Sequence, residues 1–193
     1  MTRSRFALVA SSLTLTAVLA ACSGMPSMPA MPMMAKAAPY SQDMLPDPVK
    51  VPTGHRVAWE TVGVGEITYE CRAKAGSADA FEWVFVGPMA ELKGRGGEKL
   101  GRYFGPPATW AAHDGSALTG TQVAVAPAMA GSIPLQLVKA NPATGSGALN
   151  GTSYIQRVAT RGGVAPAMPC AAGRVGQREI VQYQADYIFW KPV

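Results

Sequence analysis

His113, Asp114 and Ser116 place an imidazole, a carboxylate and a hydroxyl within four residues. A hydrolase needs such a set: a base to take a proton, an acid to orient the base, and a hydroxyl to attack. Triad members normally converge from distant parts of a chain, however, and no Gly-x-Ser-x-Gly elbow occurs here. Asp114-Gly115 reads more simply as a turn between strands, with Ser116 bonding locally. Arg157 stands mid-strand in "YIQRV", where its guanidinium needs a partner. The preferred reading is an ion pair with a carboxylate such as Glu70 or Asp114. The alternative is a fork gripping a ligand carboxylate or phosphate. His55 and His113 are the only histidines, with Glu60 or Glu70 the carboxylates to assist them, and no HExxH or paired-cysteine spacing occurs. No metal site is expected from them.

Other motifs resolve into plainer roles. Gly63-x-Gly65-x-x-Thr68 lacks the third glycine and the following helix of a dinucleotide loop. "GRGGEKLG" lacks the spacing and ending of a phosphate loop. Lys93, Arg95, Lys99 and Arg102 are diluted by Glu91 and Glu98, so a solvated hairpin is preferred over a surface for lipid phosphates or an acidic polymer. Met25, Met28, Met31, Met33 and Met34 carry thioethers suited to Cu(I). Pro26, Pro29 and Pro32 favour polyproline II, which would set Met25, Met28 and Met31 on one edge but about 9 Å apart. One ion cannot bridge them, so residues 22–47 read as a semi-rigid tether, with copper handling a third-ranked function.

The amino terminus carries an address. Arg3 and Arg5 precede an apolar run from Phe6 to Leu19. As a helix that run reaches about 21 Å, short of a ~30 Å hydrocarbon core. Leu19-Ala20-Ala21-Cys22 resembles the bacterial lipobox, whose cysteine is acylated and becomes the new first residue. Residues 1–21 are then a lipoprotein signal peptide. Acylation adds ~0.8 kcal/mol of membrane affinity per buried methylene, so two or three chains on Cys22 would anchor the protein firmly. Ser23 follows, where aspartate often means inner-membrane retention in such lipoproteins. The expected location is the periplasmic face of the outer membrane. With Cys22 lipidated, Cys71 and Cys170 remain as a pair, and outside the cytoplasm such a pair oxidises to a disulfide. The formal charge of +5 falls to +3 without Arg3 and Arg5, too weak and scattered for nucleic acid.

The elements that must position these residues read as β-structure throughout 48–193. "EITYECRAK" alternates, with Ile67, Tyr69, Cys71 and Ala73 on one face. "HRVAWETV" precedes it as a separate strand, with Gly63 and Gly65 as the turn. "FEWVFVGP" puts Phe81, Trp83 and Phe85 together and ends at Gly87-Pro88. "GTQVAVAP" and "IPLQLVKANP" are closed by proline, and Asn150-Gly151 announces a tight turn before "TSYIQRVAT". "VQYQADYIF" sets Val181, Tyr183, Ala185, Tyr187 and Phe189 on one side. Trp59, Trp83, Trp110 and Trp190 are expected to pack the core or its rim. The fold class is all-β, a sandwich or small barrel of short antiparallel strands.

The runs "VPTGHRVAWETVGVGEITYECRAK", "FEWVFVGPMAEL", "GRYFGPPATWAAHDGSALTG", "GTSYIQRVATRGGVAPAMPC" and "YQADYIFW" together resemble a bacterial and fungal family. It is known only as a domain of unknown function, number thirty-four fifty-five. The resemblance covers nearly all of the folded body. It implies a secreted or lipid-anchored protein and carries no established activity. Trp110…Asp114-Gly115-Ser116 and Tyr154-Ile155-Gln156-Arg157 are two pieces of the family pattern. Relatives often carry histidine where Tyr103 stands, so a metal role at that position is weakened in this chain. The expected function is a lipid-anchored cell-envelope protein with a non-catalytic binding or interaction module. Its candidate ligand site is Tyr103, Trp110, Asp114, Ser116 and Arg157, suited to a sugar or small polar ligand, with no cofactor. An envelope hydrolase using His113 and Asp114 is the alternative.

Overall fold

A computed structural model describes residues 39–77 and 79–193. The signal segment, Cys22 and the methionine stretch lie outside the described residues. Eight strands follow one another in chain order: β1 (His55–Ala73), β2 (Phe81–Lys93), β3 (Lys99–Phe104), β4 (Thr109–Ala112), β5 (Ala117–Ala126), β6 (Leu135–Ala140), β7 (Tyr154–Gly162) and β8 (Arg178–Pro192). Each pairs antiparallel with the next, and β8 closes on β1, so the sheet is a closed barrel. The barrel alternative of the all-β expectation is therefore the one observed.

Two sequence boundaries differ from expectation. Gly63 and Gly65 make no turn; β1 runs straight through them for 19 residues. Their lack of a side chain serves packing instead. A Cβ on Gly63 would lie 2.5 Å from Cε2 of Tyr187, and one on Gly65 would collide with the Met89 carbonyl and Ala90. β2 likewise continues past Gly87-Pro88 to Lys93, with a bulge opposite Thr68 and Tyr69 absorbing the irregularity.

The wall is buried on both sides along part of its length. Inside, Ile67, Leu92, Tyr103, Trp110, Ile155, Tyr187 and Phe189 belong to one core. Outside, Val49 and Val51 pack with Leu137, Val158, Ile188 and Trp190 in a second. Residues 39–47, which the sequence reading places at the end of the tether, lie on this wall. Tyr40 sits edge-on to Trp190, and its hydroxyl donates to Oε1 of Gln156 at 3.2 Å. Gln156 is fully buried. Its Oε1 also accepts from Trp190 Nε1, and its Nε2 donates to Gln42 Oε1 and the Val49 carbonyl. The compact unit accordingly starts at Pro39.

Cys71 and Cys170 form a disulfide with a Cα–Cα distance of 5.4 Å. The bridge fastens the β7–β8 connection to the end of β1, where Cys71 N–H also donates to Gln177 O and Gly176 N–H to Cys71 O.

Candidate functional site

The five residues singled out in the sequence do not meet at one place. Asp114 and Ser116 sit in the β4–β5 turn and fasten a neighbouring loop. Oδ1 of Asp114 accepts from both N–H and Oγ of Ser116, at 2.9 and 2.7 Å. Oδ2 accepts from Ala148 N–H, and Ser116 Oγ accepts from Leu149 N–H. Leu149 is thereby held in the interior core, fully buried. The Ser116 hydroxyl, followed by the Ala148 and Ser116 amides, holds the Asp114 carboxyl below the ordinary aspartate range. Ser116 is itself fully buried, and among the described residues no hydrogen bond joins the His113 ring to Asp114 or Ser116. The geometry is a loop clamp with no presented nucleophile. His55 lies edge-on to Tyr154, with Nδ1 3.0 Å from the Pro52 carbonyl. Glu60 pairs with Arg95, and Glu70 pairs with both Arg72 and Arg178. Among the described residues no group of three His, Cys, Asp or Glu side chains is placed to hold a metal ion.

Arg157 has neither of the carboxylate partners suggested by the sequence. Its Nε and Nη2 both donate to the Pro134 carbonyl, at 3.2 and 2.9 Å. The reason is register. Arg157 stands opposite Tyr187 on β8 and Gln136 on β6. Residues directly opposed across antiparallel strands share a face, so Arg157 faces the interior with Tyr187. Glu70 stands opposite Val84 and Arg178, one residue out of step with the inward Tyr69 and Cys71, and so faces out.

Tyr103 and Trp110 join Arg157 inside. Tyr103 stacks at 4.8 Å on Trp110 and at 4.9 Å on Tyr187. The Tyr183 and Tyr187 hydroxyls are 3.2 Å apart, and the Tyr69 hydroxyl donates to the Gly163 carbonyl. Burial pushes the phenols of Tyr69, Tyr103, Tyr183 and Tyr187 up, and the charge of Arg157 opposes that push at all four. Arg157 shares the inner face with these tyrosines and stands directly opposite Tyr187. Trp110, 1% exposed, is the direct cross-strand neighbour of Tyr103 and packs rather than presents itself.

Two glutamines complete a polar layer that the sequence reading missed. Gln136 opposes both Arg157 and Val125, and its Nε2 donates to Gln122 Oε1 at 2.6 Å. Gln122 opposes Val138, a member of the interior core. The inward parity of "LQLVKA" and "TQVAVA" was the available signal. The bulge between Gln122 and Ala124 shifts the alternation and hides it.

The barrel wall is low beside this layer. β3 and β4 are short, and β4 pairs with β5 only as far as Thr119. Above that point the first half of β2, Phe81–Gly87, pairs only with β1, and Gly120–Ala126 of β5 pairs only with β6. In the strand order, β7 and β8 lie across the barrel from β3 and β4. Arg157, Tyr183 and Tyr187 thus stand on the wall opposite the notch. Phe85 and Val125, both at inward positions beside it, are 50% and 45% exposed. A separate pocket of about 300 Å³ is lined by Met89, Arg102, Tyr103 and Phe104 on the β2–β3 wall.

Fold and site together define an eight-stranded up-and-down β-barrel with a polar layer beside a notch in its wall. Residues 52–191 match a protein-family model described as "Protein of unknown function (DUF3455)". The chain belongs to that family. No curated protein and no solved structure matches it.

Proposed function

We propose that this chain is a lipid-anchored cell-envelope protein whose barrel is a non-catalytic binding module for a small polar ligand. The observation that carries the reading is the inward-facing layer of Arg157, Gln136 and Gln122. Hydrogen-bonding groups on the inner face of a barrel orient a ligand, while apolar neighbours supply contact area. Of the five site residues expected from sequence, Tyr103 and Arg157 belong to this place. Trp110 supports them, and Asp114 and Ser116 hold the far end closed.

The location rests on sequence: Cys22 after Leu19-Ala20-Ala21, and Ser23 after it. Acyl chains on Cys22 would hold the protein on the periplasmic face of the outer membrane. Two measurements test the proposal. Mass spectrometry of the protein from its native host should find an acylated Cys22 at the new terminus; an unmodified, longer terminus refutes the anchor. Thermal-shift screening of small sugars, polyols and organic acids should find a stabilising class, because a ligand that binds only the folded state raises its melting temperature. A flat screen refutes the binding module.

A further inference from the structure

We infer that the open side of the barrel binds an amphiphilic organic carboxylate, with Arg157 gripping the carboxylate and the notch between β2 and β5 receiving its apolar body. This deepens the binding reading above and rests on it. Arg157 faces the interior and, among the described residues, pairs with no carboxylate. Its two recorded hydrogen bonds go to one carbonyl and leave further guanidinium N–H donors free. A cation on the inner face of a barrel needs an anion or water, and the fork geometry of a guanidinium fits a planar carboxylate.

The surroundings select the kind of anion. The inward positions paired beside Arg157, Gln136 and Val125 on one side and Tyr187 on the other, carry no second cation, so the site offers one positive charge. That suits a monoanion better than a doubly charged phosphate. Gln136 brings an amide beside the guanidinium on the next strand. Glu179 shares the inner face opposite Tyr69, but it stands at the start of β8, well along the strand from Tyr187. The remaining lining is apolar or aromatic: the Tyr103 ring below, with Phe85 and Val125 exposed beside the notch. A bare inorganic ion or a sugar would leave those surfaces without a partner, whereas a short acyl chain or aromatic ring covers them.

The test is a titration of the full chain, followed by intrinsic fluorescence and calorimetry, with octanoate and phenylacetate as probes. Octanol, octylamine, inorganic phosphate and glucose are the controls. The expected result is saturable binding of the two carboxylates, at least tenfold tighter than octanol or octylamine. Arg157→Met should weaken carboxylate binding about 10- to 100-fold, the loss typical of a charge-assisted pair, and leave octanol unchanged. Should Arg157→Met fail to fold, Arg157→Lys and Gln136→Leu give the same readout, each weakening octanoate more than octanol. Equal binding of octanol and octanoate overturns the carboxylate assignment and leaves a binding barrel of apolar preference. Tighter binding of phosphate or glucose than of either carboxylate overturns it in favour of a different polar ligand. No binding by any probe overturns both this inference and the binding module beneath it.

Discussion

Replacing Gln156 by Leu should cost about 2–4 kcal/mol of stability and loosen residues 39–51 from the barrel. Gln156 is fully buried on the outer face of β7, and its amide makes four hydrogen bonds. Two of those partners cannot turn to water. Val49 is 0% exposed, and Trp190, whose Nε1 donates at 2.9 Å, is 7% exposed. Each buried group left without a partner costs about 1–3 kcal/mol. The Tyr40 hydroxyl and the Gln42 amide are only part-buried and recover bonds to water, so they add little. Leucine brings apolar contact that offsets roughly 1 kcal/mol of the loss. Urea unfolding measures the result. With a slope of about 2 kcal/mol/M, the midpoint should fall by about 1–2 M. Limited proteolysis should cut between Tyr40 and Val51 earlier than in the wild type. A double-mutant cycle with Tyr40→Phe should show coupling, because the two residues share one bond. A midpoint within about 0.2 M of wild type, with an unchanged cleavage pattern, refutes the view that this network fastens the segment.

Three further outcomes follow from the same geometry. Replacing Cys71 and Cys170 together by Ala opens a bridge 99 residues apart in sequence and should destabilise the fold by about 2–4 kcal/mol in denaturant titration. Asp114 has its carboxyl held low, so it contributes stability above the ordinary aspartate value that is lost as pH falls through the folded one. Acid unfolding should therefore be shallower in Asp114→Asn, which is less stable at neutral pH, and parallel acid limbs in the two proteins would refute the clamp. Ala159 sits at φ 49° in the bulge of β7, a region costly for any residue but glycine, so Ala159→Gly should raise stability by about 1 kcal/mol in the same titration.

Much of the barrel was legible because alternation is local. Val181 to Phe189 and Ile67 to Cys71 take the faces their pattern assigns, since one side of each strand meets the core. Closure was not legible, because it rests on β1 pairing with β8 across the whole domain. Glycine misled at Gly63 and Gly65: in a sequence it marks a turn, yet here it clears space for the Tyr187 ring and the β2 backbone. Residues 39–47 read as tether because nothing local tells Tyr40 or Leu45 which surface they will cover. The site was half legible. Arg157 was singled out for needing a partner, but its face depends on the register of β6, β7 and β8. That register set it against Gln136 and Tyr187 and away from Glu70.

The polar layer also bears on why the barrel is shaped as it is. A barrel built only for stability would carry Val or Leu at the inward positions of β6 and β7, as it does at Val138 and Ile155 directly beside them. Gln136 and Arg157 forgo that burial, and real folds break local rules chiefly at functional sites. Replacing both, as Gln136→Leu with Arg157→Met, should then stabilise the protein by about 1 kcal/mol per site, raising the melting temperature by a few degrees. The Pro134 carbonyl would lose its bond from Arg157 at little cost, since that bond is exposed and water can replace it. Ligand uptake should disappear in the same variant. A function-bearing layer predicts these opposite movements, more stable and no longer binding. A melting temperature that falls by several degrees would show instead that the layer holds the wall together, and that the open side is a by-product of packing.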